Sequence, residues 1–285
     1  MTETELDAAY EDCLSLARSH YENFPVASVL VTKELRRPIA AIYTFARRAD
    51  DIADESDRSP NQKIAELIGM EIELKAVLEG DTPKHPLYLA LHDSITRHQL
   101  EPQYFFDLID AFKQDVSKTR YKNFKEVLDY CRRSANPVGR LLLQLNAEAS
   151  DENCRDSDLI CSALQLINFM QDIQQDISEN DRVYFPQDEM RAAGVTDTDF
   201  KAGNTEPHVV KFVRFQTKRA RKMLLQGAGL GKRLPGRFGL EIRTIIQGGL
   251  HISDALLNQG LDIYSRPRLT LMNKISMLSK ALLKL

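Results

Sequence analysis

Two acidic stripes at helical spacing constrain this chain more than any other feature. The first lies in Tyr43 to Asp54, YTFARRADDIAD. At about 100° per residue, Tyr43, Arg47, Asp50 and Asp54 share one narrow stripe of a helix. Ile39, Ile42, Ala46, Ala49 and Ala53 form a second stripe suited to packing. Asp50 and Asp54, at i and i+4, can reach one cation, with Asp51 beside them. Three carboxylates this close repel unless something positive compensates, and Arg47 compensates only in part. An isolated run of this kind is ordinarily a solvated acidic face.

The second stripe changes that reading. In Gln165 to Asp176, QLINFMQDIQQD, residues Gln165, Asn168, Asp172 and Asp176 again share one side of a helix. Leu164, Leu166, Ile167, Phe169, Met170, Ile173 and Ile177 cover the other sides. A helix apolar almost all round is expected to be buried. Buried carboxylates without a partner are costly. Two such helices facing each other across a cavity would offer oxygen ligands to Mg²⁺, with waters and phosphate oxygens completing the octahedra. That combination reads as a diphosphate site.

Composition narrows the class. A chain of 285 residues fits one large domain or two small ones, and 43% hydrophobic residues can fill a sizeable core. A net charge of −3 argues against nucleic acid as the main partner. Cys13, Cys131, Cys154 and Cys161 show no CxxC spacing and read as reduced thiols of a cytoplasmic protein. The acidic start, MTETELDAAYED, is no signal peptide, and no run of about 18 apolar residues is present to span a membrane.

Nearly everything else reads as helix punctuated by Pro and Gly, so the expected class is all-α. Helical patterns cover residues 4–22, 62–79, 87–99 and 102–116, with Pro38 as a first-turn proline of the key helix and Gly80 as a stop. His20 and Phe24 share a face at the end of the first. The pattern over 124–149 is interrupted at SANPVG, where Pro137 implies a kink or a plain helix–loop–helix. The second acidic helix spans 156–179, followed by a polar loop, SENDRVYFPQ, able to close over phosphates or to be an ordinary turn. Residues 205–226 form a basic amphipathic helix. GAGLGKRLPG at 227–236 fails both the dinucleotide and the Walker pattern, since Lys232, Gln226 and Arg233 stand where those need other residues, and it reads as a loop. A helix over 238–260 contains His251. The tail 268–285 is basic and amphipathic, suited to a membrane surface or simply to the bundle. No β-alternation and no internal repeat is visible.

With these parts assembled, the chain resembles the squalene/phytoene synthase family of head-to-head trans-isoprenyl diphosphate synthases. The resemblance rests on HYENFPVAS, RRPIAAIYTFARRADDIADE, YCRRSANPVGRLLL, LQLINFMQDIQQD and RVYFP, between His20 and about His251. It implies one all-α isoprenoid synthase domain over 1–285, built around a deep apolar cavity with Mg²⁺ and diphosphate at its mouth. Asp50, Asp51 and Asp54 match the first aspartate motif, and Asp172 and Asp176 the second, with Asn168 one turn before; these six are the implied metal ligands. Tyr43 and Arg47 match the diphosphate pocket, His20 and Phe24 the N-terminal helix contacts, and Arg182 and Tyr184 the closing loop.

Three departures stand out. Relatives that condense two farnesyl units commonly carry Arg where this chain has Gln171, a catalytic Tyr where it has Arg132, and a late Tyr where it has His251. These changes fit the branch that opens presqualene diphosphate with water in hopanoid biosynthesis, a hydroxysqualene synthase. Asn136, in the SANPVG break, is the first choice for holding that water, and Arg132 and His251 are the other candidates. The alternatives are head-to-head condensation of two farnesyl or similar diphosphates, and a non-catalytic helical partner protein. A peripheral place on the inner membrane surface and association with neighbouring pathway enzymes complete these expectations.

Overall fold

The computed structural model describes residues 2–19, 30–55, 57–83, 85–270, 277 and 280–282. In chain order the elements are α1 (Glu3–Ser19), α2 (Lys33–Asp54), α3 (Pro60–Leu78), α4 (Pro86–His98), α5 (Gln103–Ser117), β1 (Arg120–Tyr121), α6 (Phe124–Ser134), α7 (Asn136–Leu145), α8 (Asp151–Gln171), α9 (Ile173–Asn180), β2 (Val183–Pro186), α10 (Gln187–Ala192), α11 (Asp197–Lys201), α12 (Pro207–Gly227), α13 (Leu230–Arg233) and α14 (Gly236–Asn258). The architecture is all-α. His20, Phe24 and most of the expected tail helix lie outside the described residues.

The contacts group into two compact units, one of residues 1–117 and 137–149, the other of 118–136 and 150–285. In the first, α2 packs against α1, α3, α4 and α5. Its apolar stripe supplies Ile39, Ile42, Ala49 and Ala53 to the interior. Phe45 is fully buried and meets Tyr88 and Phe105 edge-on, at ring separations of 6.3 and 5.5 Å. Ser59 opens α3 with a reciprocal capping box to Gln62, and Gly80 closes it at φ 103°, a conformation that favours glycine.

The second unit is built on α8, α12 and α14. These helices approach closely because glycines stand at the crossings. A Cβ added to Gly227 on α12 would lie 2.5 Å from the backbone oxygen of Asp156 on α8. One added to Gly249 on α14 would meet Leu164 of α8 and Leu224 of α12 at 2.6 and 2.7 Å.

Several details depart from the sequence reading. α2 begins at Lys33, so Pro38 lies inside the helix rather than in its first turn, and Glu34 loses one backbone donor there. A short parallel pair, β1 with β2, appears where no strand was expected. Its second strand, VYFP, is buried throughout, so this segment is not a polar loop. α13 interrupts the stretch read as a loop at 227–236. The SANPVG break is real: α6 and α7 are separated at Ala135, which leaves helical geometry at φ −121°, ψ −46°.

The glycine contacts make an asymmetric prediction. Gly227→Ala must push the α8 backbone and should destabilise the protein by about 1–3 kcal/mol. Gly69, on an exposed stretch of α3 with no described residue within 4 Å of its missing Cβ, should tolerate Ala and gain about 0.5–1 kcal/mol. Urea unfolding of the two variants checks both signs.

Candidate functional site

The first acidic stripe sits on a helix whose other side is core. Asp50 is partly buried, and Asp51 and Asp54 are exposed. Arg47, one turn back, reaches Asp51 Oδ1 with Nη2 at 2.6 Å and Asp50 Oδ2 with Nη1 at 3.4 Å. Burial works against the Arg47 charge, but Asp51 and Asp50 outweigh it and its pKa is raised. Among the described residues, its buried Nε has no hydrogen-bond partner. Tyr43 is half-buried on the same stripe, its hydroxyl pushed up by burial. This part of the expected constellation is therefore brought together by one helix.

The second stripe is not one continuous helix. α8 ends at Gln171, Asp172 takes φ −107°, ψ 14°, and α9 starts at Ile173. Backbone bonds nevertheless run through the junction. Asn168 accepts from the Asp172 N–H at 3.0 Å, and Asp172 accepts from the Asp176 N–H at 2.8 Å. Leu166, Ile167, Phe169, Met170, Ile173 and Ile177 are all buried. Asn168 is exposed, and Asp172 and Asp176 are partly buried. Asp176 O also takes the Arg182 N–H at 2.9 Å, so the following loop is tied directly to the stripe.

Asp172 has a partner that the sequence did not reveal. Arg266, 94 residues away, donates Nη2 to Asp172 Oδ2 at 3.2 Å. Its Nε stands 2.6 Å from Oδ1 without the alignment of a hydrogen bond, so that buried oxygen has no aligned donor among the described residues. Burial raises the Asp172 pKa, and Arg266 offsets only part of that shift. Beside it, Gln171 Nε2 donates to Pro267 O at 2.9 Å, which anchors the segment carrying Arg266. The only hint in the sequence is the basic RPR run.

Arg182 and Tyr184 are both buried. Tyr184 stacks flat on Phe169 at 3.9 Å, next to Tyr121 and Tyr130. Asn136 is buried and accepts the Ser162 hydroxyl on Oδ1 at 2.8 Å, a partner the sequence reading missed. Arg132 is more than half exposed and bonds Asp129, whereas its neighbour Arg133 is buried on the other oxygen of that carboxylate. His251 is half-buried in α14. None of the four cysteines is joined in a disulfide among the described residues. Burial pushes Cys131 up to about 12 and Cys13 to about 11, so neither is poised as a nucleophile.

The donor set suits a hard cation. Both stripes offer oxygen ligands only, and Asp172 Oδ1 is a buried carboxylate oxygen without an aligned donor among the described residues. No cluster of three or more metal-ligating side chains is gathered among the described residues. Mg²⁺ does not need one, because it takes one or two carboxylates and fills its octahedron with water and phosphate oxygens. The residues present therefore fit Mg²⁺ held together with a phosphorylated ligand.

The chain is similar to known proteins along most of its length. The squalene/phytoene synthase family model matches residues 17–274. A hydroxysqualene synthase of Sinorhizobium fredii is 36% identical over 208 residues, covering 73% of this chain and 69% of that protein. A hydroxysqualene synthase of Zymomonas mobilis is 34% identical over 248 residues, 86% of this chain and 81% of that one. Among solved structures, squalene synthase HpnC of Alicyclobacillus acidocaldarius superposes with a TM-score of 0.84 at 34% identity, over 91% of this chain and 97% of that one.

The Asp172 environment predicts a pH effect on stability. A carboxyl whose folded pKa is raised adds stability when protonated and loses it as pH rises through the folded value. In metal-free buffer, Asp172→Asn should therefore melt at or above the wild-type temperature at neutral pH. The gap should shrink as pH falls below the ordinary carboxylate range. Thermal melts across pH with a chelator present test this.

Proposed function

We propose, from the premise that the chain belongs to the squalene/phytoene synthase family, that it converts presqualene diphosphate and water into hydroxysqualene and diphosphate. Membership itself establishes the coarser statement: this is a squalene/phytoene synthase-type enzyme acting on prenyl diphosphates. The choice of branch is supported above all by the similarity to curated hydroxysqualene synthases across most of the chain. One domain spanning both compact units belongs to the same proposal, supported by a family match that runs unbroken through both.

The roles follow from the chemistry. Asp50, Asp51 and Asp54 on one stripe, and Asn168, Asp172 and Asp176 on the other, would hold Mg²⁺. When bound, the metal supplies Lewis acidity to a departing diphosphate. Arg47 already carries a raised pKa and stays cationic beside its carboxylates, ready to neutralise phosphate charge. Arg266 brings a second guanidinium to the second motif. This chain has neutral Gln171 where condensing relatives commonly carry arginine, and Gln171 anchors the segment that delivers Arg266. Tyr43, Arg182 and Tyr184, with His20 and Phe24, complete the proposed substrate contacts.

The bond to diphosphate breaks heterolytically, and the electron pair leaves with the diphosphate. The cyclopropylcarbinyl cation rearranges, water adds at carbon, and its proton passes to the released diphosphate. Aromatic side chains such as Phe169 can shield a cation from stray water. The capturing water needs two or more polar partners. Asn136 is the first candidate, because Ser162 fixes the orientation of its amide. Arg132, tied to Asp129 on the exposed side of α6, is the weaker candidate, and His251 remains the third.

Two measurements test the roles. Asp50→Asn and Asp176→Asn should each cut diphosphate release from presqualene diphosphate by more than about a hundredfold while the protein stays folded. Near-normal turnover in either overturns the metal-site assignment. Asn136→Ala should still release diphosphate but shift the product from hydroxysqualene towards other alcohols or dehydrated hydrocarbons. Ser162→Ala, which frees the amide orientation, should shift it in the same direction but less. Unchanged hydroxysqualene purity would move the water-holding role to His251 or Arg132.

A further inference from the structure

The basic helix α12 carries Lys211, Arg214, Lys218, Arg219, Arg221 and Lys222 and no acidic residue, in a chain whose net charge is −3. Its inner side is occupied by Val209, Val210, Phe212, Val213, Ala220 and Leu224, packed within its own unit. The arginines are engaged by the protein. Arg214 bonds Gly260 O, Arg219 pairs with Glu189, and Arg221 pairs with Asp254. The lysines are not: Lys211, Lys218 and Lys222 are exposed, and none forms an ion pair among the described residues.

The outward stripe is not merely basic. Phe215 is 52% exposed and Leu225 is 47% exposed, and both lie among the lysines. Positions 211, 215, 218, 222 and 225 fall within about 80° of one another around the helix and run about 21 Å along it. The Arg219 guanidinium lies over the Phe215 ring, 4.8 Å from its centroid, and over Phe124 at 4.0 Å. Exposed aromatic and aliphatic side chains interleaved with unpaired lysines match a surface that is anionic at its face and apolar just beneath. A purely solvated face has no use for Phe215 and Leu225, and a polyanion without an apolar layer leaves them in water.

We propose that this stripe docks the enzyme flat on an anionic lipid surface, with Lys211, Lys218 and Lys222 on the head groups and Phe215 and Leu225 in the acyl boundary. The inference does not depend on the identity of the substrate, so it stands or falls apart from the reaction proposed above.

The test uses the full chain and sedimentation with vesicles of phosphatidylcholine, alone or with about one-third phosphatidylserine. Wild type should partition onto the phosphatidylserine vesicles and be released by salt. The K211Q/K218Q/K222Q variant should bind them roughly a hundredfold more weakly. F215S/L225S should lose binding even at low salt. Both variants should keep the wild-type melting temperature and wild-type turnover in detergent. Equal partitioning of wild type onto the two vesicle types overturns the proposal, as do variants that partition like wild type. Tight binding to a polyuridine probe that F215S/L225S leaves intact would make the stripe a nucleic-acid face and also overturn it.

Discussion

Carboxylates at half-buried positions stay ionised only where positive charge stands beside them, and both acidic stripes are organised by that requirement. On α2 the compensation is local. Arg47 lies one turn from Asp50 and Asp51 and is carried by the same rigid helix, whose opposite side is locked into the core by Ile39, Ile42, Phe45 and Ala49. At Asp172 the compensation comes from a distance. Arg266 is brought in by a segment that Gln171 anchors. At Asp172 the neutralisation is incomplete. Burial raises the Asp172 pKa by more than Arg266 offsets, so further positive charge beside it would favour the ionised form.

The junction at Asp172 shows how backbone and chemistry are coupled. The helix breaks at the residue proposed as a ligand, yet the hydrogen bonds from Asn168 through Asp172 to Asp176 and on to Arg182 persist. The aromatic stack of Phe169 and Tyr184 fixes the same junction from the apolar side. A change in this region therefore acts on the acidic stripe and on the following loop together.

Much of the fold could be read in advance because its signals are local. The α2 stripe, the Gly80 stop and the break before Pro137 follow from periodicity and from the chemistry of Gly and Pro. The pairing of β1 with β2 could not be read, because two residues of strand carry no alternation and VYFP is buried through tertiary context. The break at Asp172 lacks any Gly or Pro to announce it. Arg266 and Ser162 lie 94 and 26 residues from their partners, and only the fold can bring such residues together. Arg132 and Arg133 differ in a way that no motif announces: Arg132 is more than half exposed on one oxygen of Asp129, and Arg133 is buried on the other.

In the proposed reaction water, not a second prenyl unit or a hydride, ends the sequence. Its most direct test is to incubate the wild-type enzyme with presqualene diphosphate and Mg²⁺ in heavy-oxygen water, with and without NADPH, and to analyse the products by mass spectrometry. The expected product is hydroxysqualene carrying the heavy oxygen, in the same yield with or without the reductant. Squalene that forms only with NADPH, or an unlabelled hydrocarbon as the main product, would contradict it.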